Sequence, residues 1–575
     1  MNKLFRYLKP YRWQVVLIIT LTFAQVISQL YLPNLMSRIV DEGVVGQDIN
    51  FIIKTGLLML GFTVIVSICT IGARYFSART GVGFARDLRR DIFTHVESYS
   101  LNEFDQIGTA SLITRSTNDV TQVQNVMVMM LSMLIMAPLT AIGGVIMALQ
   151  KDTKLSLLLL VVVVILLGLV LIVVKFAMPL FKSMQKKLDR VNLVLREGLT
   201  GMRVIRAFNK TEYEKERFDK ANLDLTNTSI KIFRIMSFMM PIIMLIFNIT
   251  SVAIIWFGAQ RVDAGQLQVG DLMAFQQYAM QIMFSLVMAV MMFVMIPRAS
   301  ASAVRINEVL DMPLSIKPAV NPVTKTDKKG YVEFKDVSFA YHGAQEPVLC
   351  DISFEAKPGE TTAIIGGTGS GKSTIAKLVP RFYDVRSGAV LVDGVDVREM
   401  DFDALRNKIG WVPQNINLFH GTIADNVRFG KEDAEDDEVQ KALETAQAKE
   451  FVDTLEDGIE SVVAQGGLNY SGGQKQRLSI ARALIRHPEI YIFDDSFSAL
   501  DFKTDARLRR ALREETDDAT VIIVAQRVST VMNADTIIVL DQGRMAGKGT
   551  HKQLLETCDV YREIVASQLS EEELA

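Results

Sequence analysis

Cysteine is almost absent from this chain of 575 residues, with Cys69, Cys350 and Cys558 the only three. They stand too far apart in sequence for a metal-ligand cluster and are too few for a disulfide scaffold, so a reduced cytosolic or membrane setting fits best. A dominant charge is lacking as well. Lys+Arg number 62 against 64 Asp+Glu, a formal charge of -2, which removes any global electrostatic case for nucleic acid. Nor is the composition that of a disordered or collagen-like chain, since 49% of residues are hydrophobic and mean hydropathy is +0.24. The length predicts several domains, and the apolar excess lies almost wholly in the first half.

The most informative absence is local. No Asp, Glu, Lys or Arg occurs in six long stretches: Trp13–Ser37, Thr55–Ala73, Val120–Gln150, Leu155–Val174, Ile235–Gln260 and Leu272–Pro297. A helix rises about 1.5 Å per residue, so roughly 20 residues cross a hydrocarbon core of about 30 Å. Each stretch is long enough to span, and a soluble core helix rarely needs an uncharged circumference for this length. The first 13 residues carry Lys3, Arg6, Lys9 and Arg12 and no acid, whereas Ile39–Ile53 carries Asp41, Glu42 and Asp48 and no base. Positive-inside bias then puts the N-terminus in the cytoplasm, and six spans return the chain there, making both termini cytoplasmic. A signal peptide is the competing reading of the first run, which is too long and ends without a small-residue cleavage site.

Two connections are long, Arg74–Asp119 and Lys175–Arg234, the latter with 14 Lys+Arg against 7 Asp+Glu, and the same bias assigns both to the cytoplasm. Within the second, Leu188, Val191, Leu195, Leu199, Met202 and Ile205 recur every three or four residues. This spacing predicts a helix carried past the membrane surface. Asp311–Gly330, interrupted by Pro313, Pro318 and Pro322, reads as a linker. The expected organisation is a membrane domain over 1–312, a linker over 313–330 and a second domain over 331–575.

The second domain opens with strand patterns. Val332, Phe334, Val337 and Phe339 alternate with polar residues, and an Asp393-Gly394 turn separates the apolar runs of Val390–Val397. Thr361–Ile365 is a further strand that runs into Gly366-Gly367-Thr368-Gly369-Ser370-Gly371-Lys372-Ser373-Thr374, the phosphate loop GxxxxGK[ST] in its strand-to-helix setting. Glycines let successive backbone N–H groups turn inward around a β-phosphate. Lys372 adds a point charge for the β- and γ-oxygens, and the Ser373 hydroxyl can ligate Mg²⁺. Four apolar residues, Ile490–Phe493, place Asp494 at a strand end to hold Mg²⁺ through water, with Asp495 next.

Upstream stands Tyr470-Ser471-Gly472-Gly473-Gln474-Lys475-Gln476-Arg477, which resembles the signature peptide of ATP-binding cassette (ABC) proteins. The resemblance covers the whole chain, since six spans before one such domain is the half-transporter plan of the ABC exporters. It implies an α-helical six-span transmembrane domain with long cytoplasmic helix extensions, followed by an α/β P-loop nucleotide-binding domain. By the same resemblance Tyr341 is the aromatic that stacks on adenine, and Gln414 is the Q-loop glutamine and a further Mg²⁺ ligand. Ser498-Ala499-Leu500-Asp501 is the D-loop. Ser471, Gly472, Gly473 and Gln474 would contact nucleotide bound to a second chain, and coupling helices would lie near Ser111–Thr117 and Asn209–Glu214.

Two positions depart from the family pattern. Asp495 stands where fully active members have a catalytic Glu, and one methylene fewer withdraws the carboxylate by somewhat more than 1 Å. Gln526 replaces the switch histidine, and it can hydrogen bond to a phosphate oxygen but cannot become cationic. Before the signature, Val463-Ala464-Gln465-Gly466 replaces the usual Val-Gly-Glu. The expectation is a chain that binds ATP and Mg²⁺ but hydrolyses slowly at its own site, paired with a second, non-identical half-transporter supplying Glu and His. The resemblance is closest to the heterodimeric bacterial multidrug exporters.

The expected cargo is hydrophobic or amphipathic small molecules exported across the cell membrane, and the lipid bilayer is an expected partner. Met239, Met240, Met244, Met280, Met283, Met288, Met291, Met292 and Met295 give the last two spans adaptable surfaces, although lipid-facing or packing Met is an equal reading. Gln276, Gln277 and Gln281 point to a bundle interior or cavity. A lipid or peptide translocase shares every ATP motif, and a non-hydrolysing ATP-sensing regulatory subunit would also suit Asp495 and Gln526.

Overall fold

The computed structural model describes residues 2–568, without the side chains of Asn2, Val170, Val174 and residues 290–294. Met291 and Met292 of the methionine set therefore lie outside the described side chains. The chain forms two compact units, one of Met1–Val96 with Ala110–Asp311, the other of Glu97–Thr109 with Met312–Ala575.

Among the described residues six helices, lying almost wholly in the first unit, are long and apolar enough to cross a membrane, and each overlaps one of the six uncharged stretches. The second, Ile49–Glu97, has 49 residues and so extends about 70 Å, more than twice the hydrocarbon thickness. Thr153–Thr200 and Thr211–Asp263 are of similar length, so the periodicity around Leu188–Ile205 does continue a membrane helix. It runs to Thr200, and a short helix, Met202–Ala207, follows. The helices pack through small residues. At Gly144 a Cβ would meet Ile282 Cγ1 at 2.8 Å, and beside it the Tyr278 hydroxyl donates to the Leu30 carbonyl at 3.0 Å. At one end of the bundle, Lys151 pairs with Asp271 and Arg261 with Asp152, each at 2.6 Å. Asp41, from the connection that has acids and no bases, accepts the Gly270 N–H at 2.7 Å.

The stretches proposed as coupling helices need correction. Ser111–Thr117 straddles the helix Thr109–Thr114 and a π-helical turn, Arg115–Asp119, that lead into the third span. The short helix that clusters with the second unit is Leu101–Ile107, held by a capping box in which Ser100 and Glu103 each satisfy the other's backbone. Asn209–Glu214 is a left-handed Asn209 (φ 51) and then the first turn of Thr211–Asp263. Hydrophobic periodicity is blind to the start of Leu101–Ile107 because a capping box, not patterning, sets it.

The second unit is built on a six-stranded sheet in the order β12-β11-β3-β10-β9-β6. Its strands are β3 (Thr361–Gly366), β6 (Ile409–Val412), β9 (Ile490–Asp494), β10 (Thr520–Val524), β11 (Thr536–Asp541) and β12 (Arg544–Gly549). All neighbours pair parallel except β12. Both faces are covered, as parallel strands require. Tyr491, Phe493, Val521 and Ile523 enter one core, while Ile490, Ile492, Ile522 and Val524 enter the other.

A smaller sheet, β2-β1-β4-β5, contains β1 (Val332–Phe339), β2 (Leu349–Ala356), β4 (Ser387–Val392) and β5 (Val395–Asp396). Its β4-β5 hairpin turns at Asp393 (φ 56) and Gly394 (φ 86), the two left-handed positions a tight hairpin needs. The linker has no helix, and it is pinned where Val323 donates its N–H to the Glu399 carbonyl and accepts from the Asp401 N–H.

Candidate functional site

At the end of β3 the chain turns through Gly366–Gly371 into the helix Lys372–Leu378. Gly369 (φ 82) and Gly371 (φ 97) are left-handed, and at Gly371 a Cβ would meet Leu349 Cδ2 at 2.5 Å, so a side chain is excluded there twice over. Gly367 and Gly369 instead face open space, which leaves the loop's concave side free for a ligand. Ser370 Oγ is buried without a partner. Lys372 Nζ donates to the carbonyls of Gly366 (2.9 Å) and Gly367 (2.6 Å), which leaves one of its three donors free. Burial lowers its pKa, opposed by Asp495 and Asp494. A loop with open glycines, a free ammonium donor and an orphaned hydroxyl fits a polyphosphate.

Strand β9 is buried along its whole length, and Asp494 at its end is 2% exposed. Its Oδ1 accepts the Ser373 hydroxyl at 2.7 Å, so these two side chains from different elements converge on one point. Burial raises the pKa of Asp494, with Ser373 and the nearby lysines opposing. A divalent cation held here would offset that burial cost. Among the described residues no group of three His, Cys, Asp or Glu side chains could hold a metal, so any cation here needs oxygens from Ser373, Gln414 and a phosphate besides Asp494.

Asp495 follows in the left-handed region (φ 50), its N–H on the Val524 carbonyl. Its Oδ2 accepts from two amides, Gln526 Nε2 at 3.0 Å and Gln414 Nε2 at 3.3 Å. Burial raises its pKa too, against these donors and the Lys372 and Arg527 charges. The structure thus brings together the phosphate loop, both aspartates, Gln414 and Gln526, which lie up to 160 residues apart in the chain. Tyr341 is also adjacent. Its hydroxyl is 3.0 Å from Thr374 Oγ1, and its ring meets Tyr383 edge-on at 5.3 Å.

Ser471–Gln474 stands apart. Ser471 caps the helix Gly472–Leu484 in a closed pair with Gln474, its N–H on Gln474 Oε1 at 2.8 Å and its Oγ accepting the Gln474 N–H. Among the described residues no hydrogen bond joins this segment to the phosphate loop. Ser471 and Gly472 are exposed, and Gly473 packs on Ala499 of the D-loop.

One contributor escaped the sequence reading. Gln568, just after the last described helix, clamps the backbone around Gln526, donating from Nε2 to the Gln526 carbonyl and accepting the Val528 N–H at Oε1, both at 2.8 Å. No motif announces it 42 residues away. Gln568→Ala is expected to speed hydrogen exchange of the Val528 amide about tenfold, the loss of roughly 1.4 kcal/mol of local protection. Gln568→Glu, which still accepts that N–H, should recover most of it. Exchange read by mass spectrometry or NMR checks both.

Comparison with known proteins follows the same division. The family model for the ABC transporter transmembrane region matches residues 15–286, and the ABC transporter model matches 349–498. An uncharacterized ABC transporter ATP-binding protein of Mycobacterium tuberculosis is 46% identical over 98% of this chain and 97% of its own length. An ATP-dependent lipid A-core flippase of Vibrio vulnificus is 30% identical over 99% of this chain and 98% of its own. Among solved structures, a bacterial Atm1-family ABC exporter with ATP bound superposes with a TM-score of 0.80 at 26% identity, covering 98% of this chain and 99% of that one.

Proposed function

This chain belongs to the ABC transporter family, as a multi-pass exporter half-transporter that hydrolyses ATP, and we propose that it is the slow-site subunit of a heterodimer. The observation that carries this reading is the surrounding of Asp495. Its carboxylate is one methylene short of a glutamate, and its Oδ2 is held by the amides of Gln414 and Gln526. A base must reach the attacking water, and a misplacement near 1 Å can cost about a hundredfold. Gln526 carries no charge to stabilise a developing anion.

Two such chains would repeat the same weakness in both sites. A different partner with Glu and His would have one competent site, completed by Ser471–Gln474 of this chain, whose first two residues are exposed. In the slow site Lys372 and the loop N–H groups would hold the ATP phosphates, with Tyr341 against the base. Ser373, Asp494 and Gln414 would hold Mg²⁺, which neutralises charge on the β- and γ-oxygens. The chain sits in the cell membrane with both termini cytoplasmic, on the strength of the charge asymmetry at its first span. Hydrophobic or amphipathic compounds are the cargo this reading favours, given the methionine-rich last spans. The likeness to a lipid flippase over nearly the whole chain supports a second reading, a lipid cargo.

The test is ATPase activity of the purified chain alone and with a co-encoded half-transporter. Alone it should turn over at least tenfold more slowly than the pair. Equal rates would overturn the heterodimer reading.

A further inference from the structure

A cleft on the second unit is lined by three arginines and no acid. It measures about 290 Å³ and lies between one face of the helix Phe502–Glu515, strands β9 and β10, and residues 530–534. All of these belong to the one compact unit. Ala506, Arg509, Arg510 and Arg513 share the lining because residues three and four apart occupy one helix face. Phe493, Leu512, Val521 and Ile523 form an apolar floor, each of them buried.

One of the arginines is committed and two are not. Arg509 donates Nε and Nη2 to the two oxygens of Asp505, at 3.1 and 2.8 Å, and Nη1 to the Ser529 carbonyl at 2.7 Å. Arg513 donates Nη2 to the Asn533 carbonyl at 3.0 Å. Both Arg510 and Arg513 are exposed, and among the described residues neither has a carboxylate within ion-pair distance. The Thr361 and Thr530 hydroxyls and the Asn533 side-chain amide also line the cleft, and among the described residues they make no hydrogen bond. Asp535, next to this wall, accepts the Thr361 N–H at 2.8 Å. Solvent-reachable guanidiniums above an apolar floor suit an acidic segment that also carries an apolar side chain.

This chain has such a segment within reach. Residues 569–575 read Leu569-Ser570-Glu571-Glu572-Glu573-Leu574-Ala575, with three carboxylates and no base. They follow Gln568, whose amide is bonded to the Gln526 carbonyl and the Val528 N–H, and Thr530 of the cleft wall stands just beyond Val528. An extended run of this length reaches about 24 Å, several times the half-turn that separates Val528 from Thr530.

We propose that residues 569–575 dock in this cleft, with the glutamates on Arg510 and Arg513 and Leu574 on the apolar floor. Each exposed ion pair is weak, but a tethered segment meets its site at a roughly millimolar effective concentration, so weak pairs suffice. Docking would hold Gln568 in its clamp on the backbone around Gln526, so the acidic segment steadies that loop of the nucleotide site. The inference is independent of cargo and of the heterodimer reading, because cleft and segment belong to one chain.

The test is a nitroxide at Ser570→Cys in the full chain, in nanodiscs of zwitterionic lipid with ADP present. Cys350 is replaced by serine, and Cys69 and Cys558 are buried. An immobilised component holding at least half of the spins is expected in the continuous-wave spectrum, and about 1 M salt should release it. Arg510→Glu, and separately Glu571→Lys with Glu572→Lys and Glu573→Lys, should each cut that component at least threefold. Joining the three lysine substitutions to Arg510→Glu and Arg513→Glu should restore at least half of it. Unchanged ADP affinity verifies that each variant is folded, and the lysine substitutions carry the test should an arginine variant fail to fold. The proposal is overturned by a mobile label in the chain with its native glutamates, by a component that survives either charge reversal, or by a folded charge exchange that restores nothing. Immobilisation that appears only after a second half-transporter or anionic lipid is added would overturn it as well.

Discussion

Replacing Lys372 by alanine is expected to weaken ATP binding at this chain's own site by about ten- to a hundredfold, and to lower transport with it. The magnitude follows from losing one charge-assisted hydrogen bond in a partly desolvated site, roughly 1.5–3 kcal/mol. The residue is already aimed. Two of its donors are spent on the Gly366 and Gly367 carbonyls, which holds the ammonium at the loop and leaves the third for a phosphate oxygen. Since Asp494 and Asp495 oppose the effect of burial on Lys372, the ammonium form is favoured by the same carboxylates that flank the phosphates. Arginine would not restore the function, because a planar fork does not fit where a compact ammonium sits between two carbonyls. Titration with a fluorescent ATP analogue measures the change, and an unaltered affinity would remove Lys372 from this role.

The second large effect is expected away from the local site. In the proposed heterodimer Ser471 closes over the partner's competent site, so Ser471→Ala should cut ATPase of the complex by tenfold or more. Asp495→Ala should change it less than twofold, because that carboxylate serves a site that already turns over slowly. The contrast depends on the fold keeping the two elements apart. Ser471 is exposed and bonded to Gln474, while Asp495 is enclosed by Gln414 and Gln526. Steady-state ATPase of the two variants decides it, and the reverse order would sink the head-to-tail assignment. Asp495→Glu combined with Gln526→His should add less than twofold, the ceiling for doubling one equal site.

Much of the molecule was legible in one dimension because its solvents and ligands impose strict local rules. Lipid cannot satisfy a charge, so six uncharged stretches marked six helices. A polyphosphate needs inward N–H groups, so glycine had to fall at Gly369 and Gly371, where the backbone is left-handed. The strand ending at Asp494 was readable for a similar reason, since a β-strand buried on both faces must be continuously apolar. Helix breaks were less legible, and the supposed coupling stretch at Ser111–Thr117 belongs to the approach to the third span.

Composition, spacing and motif therefore determined by themselves that this chain spans a membrane six times and carries a nucleotide-binding unit, because each of those properties is set by residues adjacent in sequence or repeating at a helical or strand period. Only the tertiary structure decided which distant groups share a site. Gln414 and Gln526 reach Asp495 across 81 and 31 residues, and Gln568 grips the loop beyond. It also decided that residues 97–109 join the second unit, and that Arg381 keeps one buried nitrogen without a partner. The physical reason is that such contacts depend on how whole strands and helices pack, and no local pattern records where a packed neighbour stops short of a donor.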